Sequence, residues 1–390
     1  MRTVPLSLIL ILGALAAFGP LATDMYLPAF PAIAAGLEAD PAAVQRTLAS
    51  FFAGMGCGQL LYGPLADRFG RRAPLFGGLG LFTLASLGAA LTQEVGWFAW
   101  LRLAQGLGGC AGMVVARAVA RDLTEGQATV RMMSQLMLVA GIAPIVAPSL
   151  GGALLAVASW RAIFWVLAAY GALLVLAVAL ALPESLPPEA RRRGGLAEVV
   201  RVYTQLLADR HFLGHALAGA LSMAGMFAYI AGSPFVFMEL HHLSPQAYGL
   251  FFGLNAFGIM VAAQTNARVA RRVPAERALH GAQAIQASAG LLLLGAALTD
   301  LGGFGAIAAL LLAYIACVGA VMPLASALAM APHGRAAGSA SALIGTLQFG
   351  LGAVAGWLVG VLHDGSAVPM ALLVAGSGAG GLAARALLVR

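Results

Sequence analysis

Long apolar stretches separated by short polar gaps run along almost the whole chain. Each stretch approaches the roughly 20 residues that a helix needs to cross about 30 Å of hydrocarbon. Placing one span in each stretch gives twelve, near residues 5–30, 45–66, 74–92, 97–118, 131–157, 161–182, 212–238, 247–267, 279–299, 303–325, 337–361 and 367–388. The pattern therefore predicts an all-α membrane protein with twelve transmembrane helices.

The composition agrees with a membrane protein. The chain has 390 residues, of which 61% are hydrophobic and 9% charged, whereas soluble domains are about 45–50% apolar. The first apolar stretch follows Arg2, a pattern that a cleaved signal peptide would also show. We expect it to be span 1 instead, because many further spans follow it.

The basic residues are all arginine, and they are distributed unevenly between alternate gaps. One set of gaps holds Arg68, Arg71, Arg72, Arg121, Arg131, Arg191, Arg192, Arg193, Arg201, Arg210, Arg268, Arg271, Arg272, Arg277 and Arg335, and the other holds Arg46 and Arg161. The arginine-rich side is predicted to face the cytoplasm. Arg2 and Arg390 belong to that side, which requires an even number of spans. Because the arginines lie between spans, we expect no nucleic-acid partner.

The longest polar gap divides the predicted spans into two sets of six. We predict an N-terminal bundle over 1–182, a cytoplasmic linker over 183–211 and a C-terminal bundle over 212–390, as in a parallel-repeat transporter. The linker carries Arg191 to Arg193. These arginines are interpreted as topology determinants, although contact with anionic lipid is an alternative.

The end of span 2 concentrates scarce charges in the stretch LYGPLADRFGRR. Its functional candidates are Gly63, Asp67, Arg68, Gly70, Arg71 and Arg72, with Arg121 and Asp122 from the end of span 4 as expected members of the same charge network. The acid can cap a helix or pair with arginine. A cluster that only sets topology is the alternative. The stretch closely resembles the G-x-L-a-D-r-x-G-r-[kr] signature of the major facilitator superfamily. That resemblance implies a latch between the two bundles, with Asp67 as its acid.

Further stretches narrow the resemblance to the twelve-span drug:proton antiporters and to their Bcr/CflA subfamily. LATDMYLPAFPAI (21–33) is similar to that group's helix 1 motif, and LRLAQGLGGCAGMVVARAVARDL (101–123) to its helix 4 motif. The resemblance implies a monomer in the bacterial cytoplasmic membrane. It also implies export of small amphipathic compounds, such as bicyclomycin or chloramphenicol-like drugs, in exchange for protons.

Asp24 is the one acid in the apolar stretch of span 1. Because an ionised acid at the bilayer centre costs about 2.5–3.5 kcal/mol on insertion scales, we expect it to face a wet cavity. A proton-carrying role follows from this and from the matching acid of the family motif. The alternative is an acid near the outer headgroups, since Asp24 lies about 27 Å along a helix that starts at Leu6.

Arg102 lies a few residues into span 4, with Gln105 on about the same helix face. A guanidinium at that depth requires a partner. The resemblance implies that Arg102 couples protonation to substrate movement. An arginine that only anchors the span by extending to the membrane surface is the alternative.

The stretch GIAPIVAPSLGG in span 5 resembles the antiporter motif g-x-x-x-G-P-x-x-G-G. Pro148, Gly151 and Gly152 match, and Pro144 adds a second proline, while Ala147 stands where glycine is usual. The resemblance implies a hinge and seal. An ordinary proline kink is the alternative.

Five polar or amphipathic residues inside spans are candidates for the substrate cavity: Tyr26, Gln105, Tyr229, Asn255 and Gln348. Hydrogen bonding between helices would explain them equally well. His215 is the histidine most plainly inside a span, and we interpret it as a helix contact. Cys57, Cys110 and Cys317 lack the spacing of metal ligands and are interpreted as buried thiols.

Patterns of enzyme chemistry are missing from the sequence. It contains no H-E-x-x-H, no G-x-S-x-G and no P-loop, so neither an enzyme nor a cofactor is expected, and the energy for transport would come from an ion gradient. Three alternatives stay open. These are an exporter of an endogenous metabolite such as an amino acid, short peptide or sugar, an intramembrane enzyme, and a receptor that does not transport.

Overall fold

The structure, a computed structural model, describes residues 5–191, 196–269 and 272–389. Within these ranges the chain is helical and contains no strand, so the all-α prediction is confirmed. Arg2, Arg192, Arg193, Arg271 and Arg390 of the predicted arginine-rich side lie outside the described residues, as does the side chain of Arg335.

Twelve long helical elements follow one another, and we number them α1 to α12. They are α1 (Leu6–Ala16, Phe18–Asp24, the 3₁₀ turn Leu27–Ala29 and Phe30–Gly36), α2 (Pro41–Phe69), α3 (Arg72–Leu91), α4 (Val95–Leu123), α5 (Gln127–Val157), α6 (Arg161–Ala181), α7 (Arg210–Pro234, continued by the π-helical turn Phe235–Leu240), α8 (Pro245–Val269), α9 (Ala275–Thr299), α10 (Gly303–Met330), α11 (Ala337–Val361) and α12 (Val368–Leu388). A shorter linker helix, Leu196–Ala208, precedes α7.

The described residues hold ten helices that are long and apolar enough to cross a membrane, and the bent pair within α1 makes an eleventh. The one predicted span that remains corresponds to α2. This helix is 29 residues long but less apolar than the others. The reason lies in its position. Helix α2 packs against α4 on one side and α11 on the other, so polar residues such as Gln45 and Gln59 are buried in protein rather than exposed to lipid.

Helix α1 is bent by 44° between Leu6–Ala16 and Phe18–Gly36. It breaks again after Asp24, where the 3₁₀ turn contains Pro28. Proline lacks an N–H and cannot continue the hydrogen-bond ladder of an α-helix. The break places Asp24 in the middle of the span, with helical chain on both sides.

Glycine allows the helices of the first six spans to approach closely. A side chain at Gly106 of α4 would collide with the carbonyl oxygen of Phe51 in α2, and one at Gly54 would collide with that of Leu103. The backbones of α2 and α4 are therefore in direct contact. Helix α3 packs on this pair, mainly on α4, and α6 packs on α3.

The last six spans are arranged around α7, which packs against α10, α11 and α12. The two sets of six meet along α2 with α11, and along α5 with α8. Near the ends remote from the linker, a Cβ at Gly360 would lie 3.0 Å from the carbonyl oxygen of Ala42. The linker helix packs at the opposite end, where Leu206 contacts Phe212 and Ile344 in one apolar cluster.

We predict that Gly106→Ala lowers the free energy of unfolding by about 1–3 kcal/mol, because the added methyl group forces α2 and α4 apart. The midpoint of thermal unfolding of the purified protein would measure this. Gly96→Ala is the matched control, since Gly96 begins the same helix and has open space around it. Equal midpoints for the two variants would contradict the close α2–α4 contact.

Candidate functional site: a central cavity between the two halves

A cavity of about 230 Å³ lies between the two sets of six spans. Its walls are almost entirely apolar. The lining residues are Gly19, Pro20, Thr23, Asp24, Phe51, Phe52, Met113, Pro144, Met223, Met226, Phe227, Tyr229, Ile230, Phe252, Asn255, Ala256, Ile259, Ile315 and Phe349. Among them Asp24 is the one charged residue. The rings of Phe52 and Phe227 stack across the two halves with centroids 3.9 Å apart.

Asp24 is 4% exposed and reaches this cavity from the break in α1. Its carboxylate accepts a hydrogen bond of 2.8 Å from the Thr23 hydroxyl. Within the described part of the chain no arginine or histidine lies within 4.0 Å of it. The structure thus places the acid beside the cavity, in a position where little besides Thr23 stabilises its charge.

Arg102 is fully buried in α4 and does not extend to the membrane surface. Its guanidinium lies 4.4 Å from the ring centroids of both Tyr26 and Phe51, and 5.8 Å from that of Phe164. It donates one hydrogen bond to Gln105, which in turn donates to Ser86 over 2.7 Å. Cation–π contacts with desolvated aromatic rings are worth about 2 kcal/mol or more. These aromatic contacts stabilise the Arg102 guanidinium in place of a carboxylate.

Two further nitrogens of this guanidinium, Nε and Nη2, have no hydrogen-bond partner among the described residues. The connection between Asp24 and Arg102 is indirect and runs through Tyr26. Tyr26 follows Asp24 by two residues, covers Arg102 with its ring, and is fixed by a 2.6 Å hydrogen bond between its hydroxyl and Thr47. A displacement of this part of α1 would change the surroundings of both charged groups.

Two of the five predicted cavity residues line the cavity, namely Tyr229 and Asn255. The Tyr229 hydroxyl and the Asn255 Oδ1 have no hydrogen-bond partner in the described residues, and both atoms are shielded from solvent. Tyr26, Gln105 and Gln348 are buried elsewhere. Tyr26 and Gln105 surround Arg102, and Gln348 contacts the Met322 sulfur at 3.6 Å.

The proline and glycine motif of α5 lies against α1 and α8. A side chain at Gly151 would collide with the carbonyl oxygen of Met25, the residue after Asp24. A Cβ at Gly152 would lie 3.2 Å from the carbonyl oxygen of Pro245, where α8 begins. Pro144 lines the cavity, whereas Pro148 faces Gly249 of α8. The motif thus brings α5 of the first half into contact with α8 of the second half on the side remote from the linker.

The charged loop between α2 and α3 forms a compact network within the first half. Arg71 is 6% exposed, and its guanidinium contacts Asp67 at 2.7 Å and Asp122 at 2.7 Å. Gly70 adopts φ +88°, a conformation that favours glycine. Asp122 is a member of this network as expected, but Arg121 forms no bond to it among the described residues.

Glu184, immediately after α6, is a member that sequence reasoning missed. Its carboxylate accepts hydrogen bonds from the backbone N–H groups of Arg71 (2.8 Å) and Arg72 (3.1 Å), at the start of α3. The next residue, Ser185, donates to Asp122 over 2.8 Å. Glu184 belongs to the predicted linker 183–211, and an acid directly after an apolar span is the signal that the sequence offers for it. Partial burial acts to raise the pKa of Glu184, but the backbone N–H groups of Arg71, Leu186 and Arg72, together with the charge of Arg191, outweigh it and lower that pKa.

A second cavity, of about 460 Å³, lies on the linker side between the halves. We call it the inner vestibule, and it shares no lining residue with the central cavity. Four arginines line it, Arg68, Arg71, Arg117 and Arg121, together with Gly63, Asp67 and residues of the linker helix. Asp67 therefore faces the space between the halves. The described residues contain no cluster of three or more side chains suited to a metal ion.

Sequence comparison assigns the chain to a family of membrane transporters. Residues 11–357 match the Major Facilitator Superfamily, and the chain belongs to it. The resemblance to the drug-resistance members of that family, inferred from the motifs of spans 1, 2 and 4, is confirmed by the relatives.

The chain is 38% identical to the uncharacterised MFS-type transporter YdgK of Bacillus subtilis, over 95% of this chain and 92% of that protein. It is 35% identical to the bicyclomycin resistance protein homologue of Haemophilus influenzae, over 93% of this chain and 91% of the relative. The solved structure of a D-xylose–proton symporter shares the fold, with a TM-score of 0.75 and 16% identity over 98% of this chain and 96% of that one. Relatives and fold are those of transporters rather than enzymes.

We predict that Glu184→Gln removes a pH-dependent contribution to stability. A carboxyl group whose pKa is lowered by folding stabilises the folded state above its ordinary pKa of 4.5, and this contribution is lost as the pH falls through the lower folded value. The unfolding midpoint of the wild type should therefore exceed that of the variant near neutral pH, and the two should converge under acid conditions. Glu189→Gln, in the same linker, is the control. A constant difference at every pH would contradict the role of the charge.

Proposed function

We propose that the protein is a proton-coupled exporter of small amphipathic compounds that works by alternating access. The observation that carries this proposal is a single acid, Asp24, in an aromatic and methionine-rich cavity between two halves. Such a cavity binds apolar molecules by contact area, and the acid binds either a proton or a positively polarised substrate. The energy would come from the ion gradient, at about 2.3 kcal/mol per charge per 100 mV.

Proton coupling in this proposal depends on the short segment of α1 that runs from Asp24 to Tyr26. Protonation of Asp24 from the side remote from the linker removes a negative charge at the break in α1. Tyr26, two residues further on, is in contact with Arg102. The segment can then adjust against α4, displace the substrate and favour the state that is open toward the linker.

The apolar lining of the cavity supports the proposed substrate class. Methionine side chains such as Met113, Met223 and Met226 adapt to molecules of different shape. Bicyclomycin and chloramphenicol-like drugs are the first candidates, and the Haemophilus influenzae relative supports the former by its name. A metabolite with hydrogen-bonding groups is the second candidate, supported by two polar residues of the lining, Tyr229 and Asn255, whose hydroxyl and Oδ1 have no hydrogen-bond partner among the described residues.

The remaining assignments belong to the same proposal. We place the protein as a monomer in the bacterial cytoplasmic membrane, with both termini and the linker in the cytoplasm. The segments 1–182, 183–211 and 212–390 act as first bundle, linker and second bundle. The Asp67 loop latches the halves when the cavity opens outward, and Gly151 and Gly152 of α5 form the seal of the opposite state.

We predict that Asp24→Asn abolishes substrate-induced proton release, because asparagine keeps the shape of the side chain and cannot exchange a proton. Proteoliposomes with an internal pH dye would measure the release on addition of bicyclomycin, chloramphenicol or a set of amino acids and dipeptides. Asp40→Asn is the matched control. Asp40 caps α2 by accepting a hydrogen bond from the Ala42 N–H, and asparagine caps equally well.

Release that persists in Asp24→Asn would place the proton site on another residue and refute this part of the proposal. Release with amino acids or dipeptides but not with drugs would establish the metabolite exporter.

A further inference from the structure

A group of titratable side chains lies near the linker end of the second half, far from Asp24. His215 of α7 is fully buried at its centre. Its Nε2 lies 3.2 Å from Oε1 of Glu276, at the start of α9, and its Nδ1 lies 2.9 Å from the carbonyl oxygen of His211. Both ring nitrogens therefore face an oxygen.

The protonation state of His215 follows from these partners. The His211 carbonyl can only accept a hydrogen bond. The Glu276 carboxylate, whose side chain is 46% exposed, also acts as an acceptor, since its Oε2 accepts a hydrogen bond of 3.3 Å from Arg385 Nη1. A neutral imidazole has one N–H and can satisfy only one of two acceptors, whereas the imidazolium ion donates from both nitrogens.

We propose that His215 is a second proton-binding site, in which a buried imidazolium is held between the Glu276 carboxylate and the His211 carbonyl. The site is separate from Asp24 and does not depend on the proposed transport mechanism. Glu276 connects it to water, since this carboxylate is partly exposed while the imidazole is not. Protons would therefore exchange from the linker side.

The surroundings contain a limited number of other charges. Arg385 of α12 also contacts Nδ1 of His280 over 2.8 Å, so His280 accepts and is neutral in this arrangement. The pair Asp209–His333, at 2.9 Å, and the side chains of Arg210, His211 and Arg277 are further charged or titratable groups at this end of the second half. The linker helix, which also packs against α7, carries Glu198, Arg201 and Tyr203. Helices α10 and α11 also pack against α7. Helix α11 carries no charged or titratable side chain, whereas α10 carries Cys317 and Tyr314, the latter against Gly225 of α7. The parts of α1 and α2 that touch α7 lie at the central cavity, where the acid is Asp24.

Loss of this proton would weaken the attachment of α7 to its neighbours. A neutral His215 leaves one of its two acceptors without a donor, and Glu276 is then held by Arg385 alone. Helix α7 also carries Met223, Met226 and Phe227 of the cavity wall. Met223 follows His215 by eight residues, or about 12 Å along the helix. The protonation state of His215 thus bears on a helix that forms the binding cavity.

The test is ¹⁵N NMR of the histidine side chains in the purified full-length protein, from about pH 6 to pH 9. The variants are His215→Gln and Glu276→Gln, with His280→Gln as the matched control because His280 belongs to the same network but is neutral. The His215 resonance is the one lost in His215→Gln, or displaced in Glu276→Gln if the first variant does not fold. The midpoint of thermal unfolding is measured over the same pH range.

We expect an imidazolium signal from His215 in the wild type at pH 7, its loss or displacement in Glu276→Gln, and its retention in His280→Gln. The wild-type unfolding midpoint should fall as the pH rises and the proton leaves, and this fall should be absent in Glu276→Gln. A His215 ring that is neutral at pH 7 would overturn the proposal. Identical unfolding profiles for the wild type and Glu276→Gln would also overturn it.

Discussion

A charge inside a bilayer must receive its partners from the protein, because neither lipid nor bulk water is available to solvate it. The structure meets this constraint in different ways at each buried ionisable group. Arg102 is surrounded by aromatic rings and donates to Gln105. Asp24 lies at a helix break beside a cavity, and His215 is paired with Glu276. The break in α1, the aromatic rings around Arg102 and the carboxylate beside His215 each supply part of that solvation.

The sequence predicted the helices well, since apolar stretches of membrane length leave few alternatives. It identified Asp24 because acids are rare in such stretches, and Tyr229 and Asn255 because polar residues in spans face protein. It could not assign Tyr26 to Arg102 rather than to the cavity, since that depends on how α1 is rotated at its break. Glu184 was missed because its partners lie 113 and 112 residues away, at the start of α3. His215 was interpreted as a simple helix contact for the same reason, with Glu276 61 residues distant.

Helix α2 shows that hydropathy does not identify every membrane-spanning helix. A helix enclosed by other helices no longer needs an apolar surface all round, and α2 carries buried Gln45 and Gln59 between α4 and α11. Its neighbours provide what lipid would provide to an outer helix. A helix at the interface of the two halves can therefore carry polar residues that a lipid-facing helix could not, although it lies at the centre of a membrane protein.

The inner vestibule and the central cavity differ in the sign of their charge. Arginines outnumber acids in the vestibule wall, whereas Asp24 is the one charged residue in the cavity wall. Clefts with low-dielectric walls concentrate the field of the charges that line them. A cation moving inward from the linker side meets a repulsive region before an attractive one, and a neutral molecule crosses both without a penalty. The order of the two fields thus acts on the rate at which compounds enter, separately from the affinity with which they bind.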